Sequence, residues 1–484
     1  GGSQIGRIYG LPKTHKLTSN NTKLKLRPII SSINTYNYNL AKYLCNKLTP
    51  YIPNEYSTKD TFTFIYEISN IETRNKYMIS FDVSSLFTNI PLNETIDIAI
   101  NLLLENEPNI KFSKTELKKL FQFATSKSHF LIEGEFFDQI DGVAMGSPLA
   151  PVLANIFMGH YEKIWIENYK GNNVEFYKRY VDDIFCLFQN ERDALEFFDY
   201  INNRHPNISF TYEKEIDGKL CFLDILIQNI NTDKFQTSIY RKKTFTGLLT
   251  NFLSFVPSLY KISLIKTLLN RIFRINNSKV TFNTDLSKLK DILAKNMFPP
   301  GLVNSTINKY LNRNSKNSET AEKEGTEEIS YFKLPYIGSH SEYVSKRIKQ
   351  ICKQFCKNLD IKISFSMFKV GDMFSLKSNV PRNLESGVVY YFKCASCNSS
   401  YVGETTRYYE TRVHEHLHKS TQPSAIFQHL KNNIDCKLKC DESCFKIIDR
   451  ARTKFTLEIK EAIHTQWLKP SITKQKNLFV TISV

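Results

Sequence analysis

Three aspartates in apolar segments are the residues of this sequence best suited to chemistry. Asp182 and Asp183 are adjacent in the tetrapeptide at 180–183, between two segments rich in aromatic and β-branched residues. Such segments favour strands, and strand side chains alternate between faces, so the pair predicts a hairpin with the acids at its turn. Asp82 is the single acid of a third apolar segment, residues 77–83.

If the strand with Asp82 lies beside this hairpin, Asp82 and Asp182 face one another. Converging carboxylates suit Mg²⁺, and two such ions roughly 3.5–4 Å apart promote in-line nucleotidyl transfer. The alternative is a solvated hairpin beside an ordinary strand end, because unpaired carboxylates avoid burial. The acids alone leave both interpretations open.

Composition restricts the class of protein. A chain of 484 residues with a hydrophobic fraction of 41% is typical of two or three globular domains. The net charge of +17 predicts a polyanionic partner. Neither an apolar segment of about eighteen residues nor a signal peptide is visible, so we expect no membrane association. Gly1-Gly2-Ser3 in place of an initiator Met suggests a fragment that lacks its natural beginning.

Helical and strand-like segments surround the acids. Helices are predicted at 38–51, 60–69, 93–105, 113–126 and 191–204, and strands at 208–215, 219–228 and 235–240. A small-residue turn with Gly146, Ser147 and Pro148 leads into a helix that extends through residue 158. Residues 258–312 are helical and basic, and residues 315–328 are polar and charged, as in a linker.

The order of these segments resembles the palm of a reverse transcriptase. Motifs at residues 9–16, 26–31, 81–91, 180–183 and 222–225 are similar to those of Penelope-like retroelement proteins, relatives of telomerase catalytic subunits. The resemblance implies a multidomain α+β fold with a right-hand polymerase. Its implied parts are fingers and palm in residues 1–257, a helical thumb in 258–314, a linker and connector in 315–385, and a further small domain in 386–484.

The resemblance also implies roles for individual residues. Asp82 and Asp182 would bind two Mg²⁺ ions with support from Asp183, and Phe87 would exclude a ribose 2′-hydroxyl. Lys219 is a candidate proton donor to the leaving pyrophosphate. Contacts to the incoming triphosphate are implied for Lys13 and Arg27, and contacts to the template and nascent base pair for Gly146, Ser147 and Pro148. The basic face of the thumb would follow the duplex backbone.

The last hundred residues carry a second set of polar residues. A strand is predicted at 387–392, Tyr401 stands two residues before Gly403, and Arg412 and His416 share a face of the next helix. Glu461 lies in an amphipathic helix predicted at 456–467. Together with Tyr390, these residues resemble the GIY-YIG endonuclease that Penelope-like elements carry after the polymerase, a small mixed α/β domain.

The resemblance assigns nuclease chemistry to these positions. Glu461 would bind one Mg²⁺ ion, and Arg412 would clamp the scissile phosphate, with His416 as a further catalytic residue. Tyr390 and Tyr401 would orient or deprotonate the attacking water. Position 473 departs from the pattern, because Thr473 stands where the family has Asn.

Cysteines crowd into the same region. Cys394 and Cys397 form half of a zinc-binding pattern in a sequence without a secretory signal. The resemblance implies a structural zinc site whose other ligands are His429 and Cys436. The competitors for the fourth position are Cys440 and Cys444. Free thiols are the alternative.

The sequence therefore predicts an RNA-directed DNA polymerase joined to a DNA-nicking endonuclease, for target-primed reverse transcription in the nucleus. The expected partners are an RNA template, a DNA primer, target DNA and deoxynucleoside triphosphates; the oligomeric state stays open. Thr473 motivates an alternative in which the C-terminal domain is a non-cleaving, zinc-stabilised DNA-binding module and the polymerase extends existing 3′ ends. A third, non-enzymatic hypothesis is an RNA-packaging protein.

Overall fold

The computed structural model describes residues 4–12, 26–125, 129–230, 233–316, 328–355, 359–367, 369, 373, 380–418, 424–451 and 453–472. The strands are β1 (Gly6–Pro12), β2 (Leu26–Ser31), β3 (Tyr77–Val83), β4 (Phe130–Ile132), β5 (Glu135–Phe137), β6 (Phe176–Tyr180), β7 (Asp183–Phe188), β8 (Phe210–Lys214), β9 (Lys219–Phe222), β10 (Ile225–Gln228), β11 (Gln236–Ile239), β12 (Glu328–Pro335), β13 (Leu359–Ser366), β14 (Val388–Lys393), β15 (Ser400–Thr405) and β16 (Phe445–Arg450).

The helices are α1 (Tyr38–Leu48), α2 (Thr61–Ile68), α3 (Leu86–Asn89), α4 (Leu92–Asn106), α5 (Lys114–Thr125), α6 (Ala150–Glu167), α7 (Glu191–Asn202), α8 (Ser258–Ile275), α9 (Lys279–Lys295), α10 (Pro300–Lys316), α11 (Ser339–Phe355), α12 (Tyr409–Leu417), α13 (Ala425–Asn432), α14 (Ile434–Lys439) and α15 (Lys454–Leu468). The helices predicted before residue 205 are confirmed with small shifts at their ends, except that the helix predicted through residue 158 extends as α6 to Glu167. None of the helices in the described part of the chain has the length and apolar character of a membrane span.

Contacts divide the chain into two compact units. One consists of residues 1–52, 87–157 and 376–484, and the other of residues 53–86 and 158–375. The second unit is built on a sheet with the strand order β6-β7-β3-β8, in which every pair is antiparallel. Phe81 packs against Phe197 of α7 on one face, and Phe185 packs against Phe64 of α2 on the other. Because both faces are covered, β7 is apolar at every position after Asp183.

A smaller sheet, ordered β11-β10-β9, shares the core on the α2 side. The single strand predicted at 219–228 is wrong, because the chain reverses between β9 and β10. Leu223 and Asp224, the two loop residues, have φ values of 48° and 61°. Positive φ at both central residues is the pattern of a type I′ turn, which usually consists of Asn and Gly. Leu-Asp therefore carries no recognisable turn signal.

Helices α8, α9 and α10 form a bundle around a shared apolar core, in the region predicted as the thumb. Asp285 of α9 is 2% exposed and joins this bundle to β11. Its carboxylate accepts hydrogen bonds from the Ile239 backbone N–H at 3.0 Å and from Arg241 at 3.1 Å. This buried acid fixes the base of the bundle to the smaller sheet.

The predicted connector contains a folded element that was not predicted from the sequence. Strands β12 and β13 are parallel and are joined through α11, which makes a β-α-β unit of residues 328–366. The backbone N–H of Phe365 in β13 donates to the Tyr260 hydroxyl of α8 at 2.8 Å. The unit therefore packs against the first helix of the bundle.

The first unit contains two separate sheets. In the N-terminal one, ordered β2-β1-β4-β5, β1 is antiparallel to β2 and parallel to β4. The C-terminal sheet is ordered β15-β14-β16 and is antiparallel throughout. Tyr390 and Phe392 share a core with α12 to α14 on one face, and Val389 packs with Leu457 of α15 on the other. This small domain is thus a three-layer α-β-α arrangement.

Candidate functional site

Two of the predicted catalytic carboxylates lie opposite each other between β3 and β7. The register of these strands pairs Asp82 directly with Asp183. Asp182 lies in the two-residue turn before Asp183, and its carbonyl accepts a hydrogen bond from the Val83 N–H at 2.9 Å. The predicted acidic hairpin is confirmed, although Asp183, rather than Asp182, is the residue directly across from Asp82.

The turn that carries Asp182 is strained. Val181, its first residue, has a φ of +58°, whereas Asp182 has no positive φ. This sign pattern is that of a type II′ turn, which favours Gly at its first central position. A β-branched residue in the left-handed region costs on the order of 1–3 kcal/mol and persists only where the surroundings enforce it. The hairpin is therefore held in its shape by neighbouring groups.

Burial and like charges together disfavour ionisation at the acidic site. Loss of hydration, followed by the charges of Asp182 and Asp82, raises the pKa of Asp183 to about 6, whereas the charge of Lys242 acts in the opposite direction. Carboxylates that disfavour one another's ionisation gain most from a cation, and hard oxygen donors suit Mg²⁺. The donor set thus fits the magnesium site that was predicted here.

The three aspartates do not form a compact set of ligands. Among the described residues, one group of potential ligands has its ligand atoms all within 4.8 Å of one another. It consists of Cys394, Cys397, His429 and Cys436 and does not include the aspartates. Carboxylates repel one another when no cation lies between them. In addition, ligands that hold two ions roughly 3.5–4 Å apart are further from one another than the ligands of a single ion. The role of these acids as metal ligands stays a prediction.

Lys219, the predicted proton donor, lies in the smaller sheet, away from the strands that carry the acids. It begins β9 and pairs across the hairpin with Gln228. The next residue, Asn229, donates to the carbonyl of Lys76 at 3.2 Å, immediately before β3 begins. Asp82 lies near the opposite end of β3. Lys219 therefore lies beside the start of β3, whereas Asp82 lies near the other end of that strand, and the fold does not bring the two together.

Lys242 is a basic residue of this site that the sequence did not reveal. It follows β11 within a run of three basic residues, and its charge lowers the pKa of Asp183. The run offered no signal by itself, since basic loops are common in a basic protein. Its proximity to the acids depends on the tertiary fold.

Most of the residues predicted to contact nucleotide and template lie together in the first unit. Gly142 packs on the backbone of α3, since an added Cβ would approach the carbonyl oxygen of Phe87 to 2.8 Å. Gly146 packs on β2 in the same way, since an added Cβ would lie 2.1 Å from the carbonyl oxygen of Ile30. The turn with Ser147 and Pro148 thus joins Phe87 to the strand that carries Arg27. Lys13 lies outside the described residues.

The C-terminal domain brings its predicted polar residues together around Tyr390. The Arg412 Nε–H donates to the Tyr390 hydroxyl at 3.2 Å, and His416 Nε2 lies 2.7 Å from the same oxygen. The rings of Tyr390 and Tyr401 are 6.3 Å apart. Burial raises the pKa of Tyr401, and the charge of Glu461 raises it further. All five predicted residues therefore belong to one cluster.

The protonation states in this cluster follow from burial. Desolvation lowers the pKa of His416 to about 3, and the charge of Arg412 contributes, so the imidazole is neutral. Burial raises the pKa of Tyr390 well above its ordinary range. The Tyr390 hydroxyl thus keeps its proton, and the neutral imidazole is hydrogen-bonded through both nitrogens, with Nε2 bonded to Tyr390 and Nδ1 bonded to the Ser424 hydroxyl at 2.6 Å. The result is a satisfied chain of buried polar groups.

Gly403 is required where the two tyrosines meet. It pairs directly with Tyr390 across β14 and β15. An added Cβ would lie 2.6 Å from the Tyr390 hydroxyl and 2.5 Å from the Tyr401 ring. Any larger residue would displace the ring that Arg412 and His416 hold. The sequence singled out this glycine, and close packing explains it.

The predicted zinc ligands lie within reach of a single ion. The ligand atoms of Cys394, Cys397, His429 and Cys436 are all within 4.8 Å of one another, and Cys397 Sγ is 3.5 Å from His429 Nε2. A tetrahedral zinc ion with bonds of about 2.3 Å separates its ligand atoms by roughly 3.5–4 Å, so the group fits zinc. Although burial opposes it, backbone N–H groups, of which that of Cys397 contributes most, lower the pKa of Cys394 to about 7, which favours the thiolate.

Cys440 remains a neighbour of this group. Its Sγ lies 3.5 Å from that of Cys394, and burial raises the pKa of Cys440 and of Cys436 alike, so thiol acidity does not separate the two. The geometry favours Cys436 as the fourth ligand, because its Sγ, and not that of Cys440, belongs to the group of ligand atoms within 4.8 Å of one another.

Two family models match the chain. Residues 12–215 match the reverse transcriptase (RNA-dependent DNA polymerase) model, and this range contains the three aspartates and the strained hairpin. Residues 12–215 are a reverse transcriptase domain. Residues 248–308 match the model of the animal helix-turn-helix domain, which covers most of α8 to α10 beyond the reverse transcriptase domain. No curated protein sequence matches the chain.

Solved structures resemble the reverse transcriptase domain and its surroundings only distantly. Telomerase from Candida albicans in complex with a TWJ fragment of telomeric RNA is 12% identical over 65% of this chain and 61% of its own, with a TM-score of 0.43. Apo telomerase from Candida tropicalis is 13% identical over 65% and 58%, with a TM-score of 0.40. The RNA-dependent RNA polymerase of bacteriophage phi12 is 13% identical over 63% and 56%, with a TM-score of 0.37. The chain thus spans less than two thirds of each.

The raised pKa of Asp183 generates a prediction about metal-free protein. The folded-state pKa of about 6 exceeds the ordinary value of 3.8, so ionised Asp183 destabilises the fold above pH 6, and this cost disappears as the pH falls below 4. Asp183→Asn should therefore raise the Tm at pH 8 in EDTA by about 1–3 °C and have no such effect at pH 4. Thermal unfolding across this pH range measures the difference. Asp199→Asn, an exposed control on α7, should change neither value, and an equal stabilisation by both variants would contradict the prediction.

The zinc group generates a second prediction. Purified protein should contain one zinc ion per chain, and Cys436→Ser should lose it, because three ligands bind zinc much more weakly than four. Cys440→Ser is the matched control and should keep the metal. Elemental analysis after dialysis measures the content. Loss of zinc from Cys440→Ser with retention in Cys436→Ser would reverse the assignment.

Proposed function

We propose that this chain is an RNA-directed DNA polymerase of the Penelope-like class, joined to a GIY-YIG endonuclease that nicks DNA. The observation that carries the proposal is the register that pairs Asp82 with Asp183 and leaves Asp182 in the adjoining turn, inside a reverse transcriptase domain. The motifs at residues 9–16 and 81–91 support the finer class. An RNA-packaging protein has no need for two carboxylates whose charges raise the pKa of a third.

The acidic residues suit nucleotidyl transfer. Asp82, Asp182 and Asp183 would hold Mg²⁺, which supplies positive charge for the primer hydroxyl and the triphosphate. Lys242 adds a positive charge beside the same carboxylates. Arg27 would contact the triphosphate, and Phe87, held by the Gly142 turn, would exclude a ribose 2′-hydroxyl. In this scheme catalysis consists of positioning and electrostatic stabilisation.

The C-terminal cluster suits phosphodiester cleavage. Glu461 would hold one Mg²⁺ ion, and Arg412 would stabilise the negative charge of the scissile phosphate. Because Tyr390 is buried and keeps its proton, it orients Arg412 and His416 rather than acting as a base. Tyr401, whose pKa responds to Glu461, is the tyrosine better suited to contact the attacking water.

The two activities would act in sequence on one DNA strand. A nick exposes a 3′-hydroxyl, and the polymerase extends it along an RNA template with deoxynucleoside triphosphates. The net charge of +17 supports retention of both nucleic acids, with an affinity that falls steeply with salt. Action on chromosomal DNA implies nuclear residence.

Primer extension tests the polymerase. The protein should extend a DNA primer on an RNA template in the presence of Mg²⁺, and Asp182→Ala should lower the rate at least about 10²–10³-fold, because it removes a charge that positions the reacting groups. The exposed control Asp199→Asn should extend normally. Extension that survives Asp182→Ala would contradict the assignment.

Nicking of supercoiled DNA tests the nuclease. The protein should convert the supercoiled to the nicked form with a divalent cation, and Glu461→Gln should abolish the conversion. Glu458→Gln is the matched control, since Glu458 lies on the same helix and pairs with Lys454. If the wild type binds DNA without nicking it, the C-terminal domain is instead the zinc-stabilised binding module that Thr473, outside the described residues, motivates.

A further inference from the structure

A buried ion pair lies beneath the acidic hairpin and has no part in the chemistry described so far. Arg179 of β6 is 0% exposed and Glu162 of α6 is 1% exposed. The Arg179 Nε–H donates to Glu162 Oε1 at 2.6 Å, and the Tyr177 hydroxyl donates to the same oxygen at 2.7 Å. Three polar side chains thus form one network in the palm core.

The same arginine reaches the strained turn. Arg179 Nη1 donates a hydrogen bond to the carbonyl oxygen of Val181 at 3.1 Å. On the other side of the turn, the Val83 N–H donates to the carbonyl oxygen of Asp182 at 2.9 Å. The carbonyls before and after the Asp182 Cα are therefore both fixed, which fixes the direction in which the Asp182 side chain leaves the backbone.

The backbone of Arg179 is fixed as well. Its N–H donates to the carbonyl oxygen of Tyr56 at 2.7 Å, and its carbonyl accepts from the Thr58 N–H at 2.8 Å. The segment of residues 54–58 thus closes the outer edge of β6 beside the hairpin. The backbone and the guanidinium of Arg179 are therefore both held by hydrogen bonds to other segments of the second unit.

Stability alone gives a weak reason for such a pair. Taking an arginine and a glutamate out of water costs about as much as their attraction returns, and apolar residues of similar volume often stabilise a core better. The pair becomes understandable if its fork-shaped donor serves geometry, because one guanidinium can hold a carboxylate and a carbonyl at fixed angles at once. A strained turn needs support of this kind.

We propose that Arg179, locked by Glu162 and Tyr177, is a positioning residue that holds the Val181 turn in its strained form and thereby orients the Asp182 carboxylate for metal binding. The inference rests on the proposed polymerase function. It assigns to the arginine an indirect effect, since Arg179 touches neither metal nor nucleotide. Groups that orient ligands in this way typically contribute about 10–100-fold to metal affinity.

Binding of Mn²⁺, followed by electron paramagnetic resonance without nucleic acid, tests this role independently of activity. Arg179→Lys keeps the buried charge but loses the second donor direction, so the dissociation constant for Mn²⁺ at the acidic site should rise about tenfold or more. Lys178→Gln is the matched control, because Lys178 is the adjacent residue and bonds elsewhere, to the carbonyl of Glu55. Asp182→Ala identifies the signal of this site.

A rescue experiment separates positioning from general stability. Glycine adopts a positive φ without strain, so Val181→Gly in the Arg179→Lys background should restore Mn²⁺ affinity to within a few-fold of wild type, even if the Tm stays low. Where Arg179→Lys fails to fold, Tyr177→Phe, which removes one hydrogen bond and buries no unpaired charge, takes its place with a smaller loss. Unchanged Mn²⁺ affinity in a folded variant, or a loss that Val181→Gly leaves uncorrected, overturns the proposal. Wild-type protein that binds Mn²⁺ in this way but extends no primer contradicts the polymerase function and leaves the positioning role intact.

Discussion

Burial of Asp183 beside the charges of Asp82 and Asp182 is the constraint on which the rest of this sheet depends. Desolvation and neighbouring charges hold the pKa of Asp183 near 6, so the fold carries an electrostatic cost at neutral pH. That cost is acceptable only because the strands beneath are buried on both faces, with aromatic side chains on each side. Burial of the apolar sheet stabilises the fold, and the ionised acids at its end lower that stability.

How much of this could be predicted from sequence depends on the range of the interactions involved. The acidic hairpin and the strand with Asp82 were predictable, because an apolar segment with a single polar interruption is a local signal. The reversal between β9 and β10 was not, since its turn consists of Leu223 and Asp224, which are poor turn formers. There the tertiary core on either side, rather than local preference, determines the backbone.

Functional residues divide in the same way. Asp82, Tyr401 and Gly403 stand in short motifs whose spacing is visible in the sequence, whereas Lys242 and Arg179 act through contacts that only the fold creates. Lys219 shows the opposite case, because its chemistry is suitable but it lies in the smaller sheet, beside the end of β3 that is far from Asp82. The β-α-β unit at 328–366 was missed because β12 gives no clear alternation, although β13 alternates strictly between apolar and polar residues.

The two polar sites solve the problem of buried polarity differently. Around Tyr390, hydrogen bonds link Arg412, the Tyr390 hydroxyl and the neutral imidazole of His416. Each group therefore has a protein partner in place of water. At the acidic hairpin, the fold brings like-charged aspartates together and holds Val181 at a positive φ. The groups that support the turn must therefore oppose the local backbone preference of the chain. A rigid anchor such as the Arg179–Glu162 pair is the natural counterpart of that arrangement: an apolar core would relax the turn, while a forked cation fixed in the interior holds it until a metal ion offsets the repulsion.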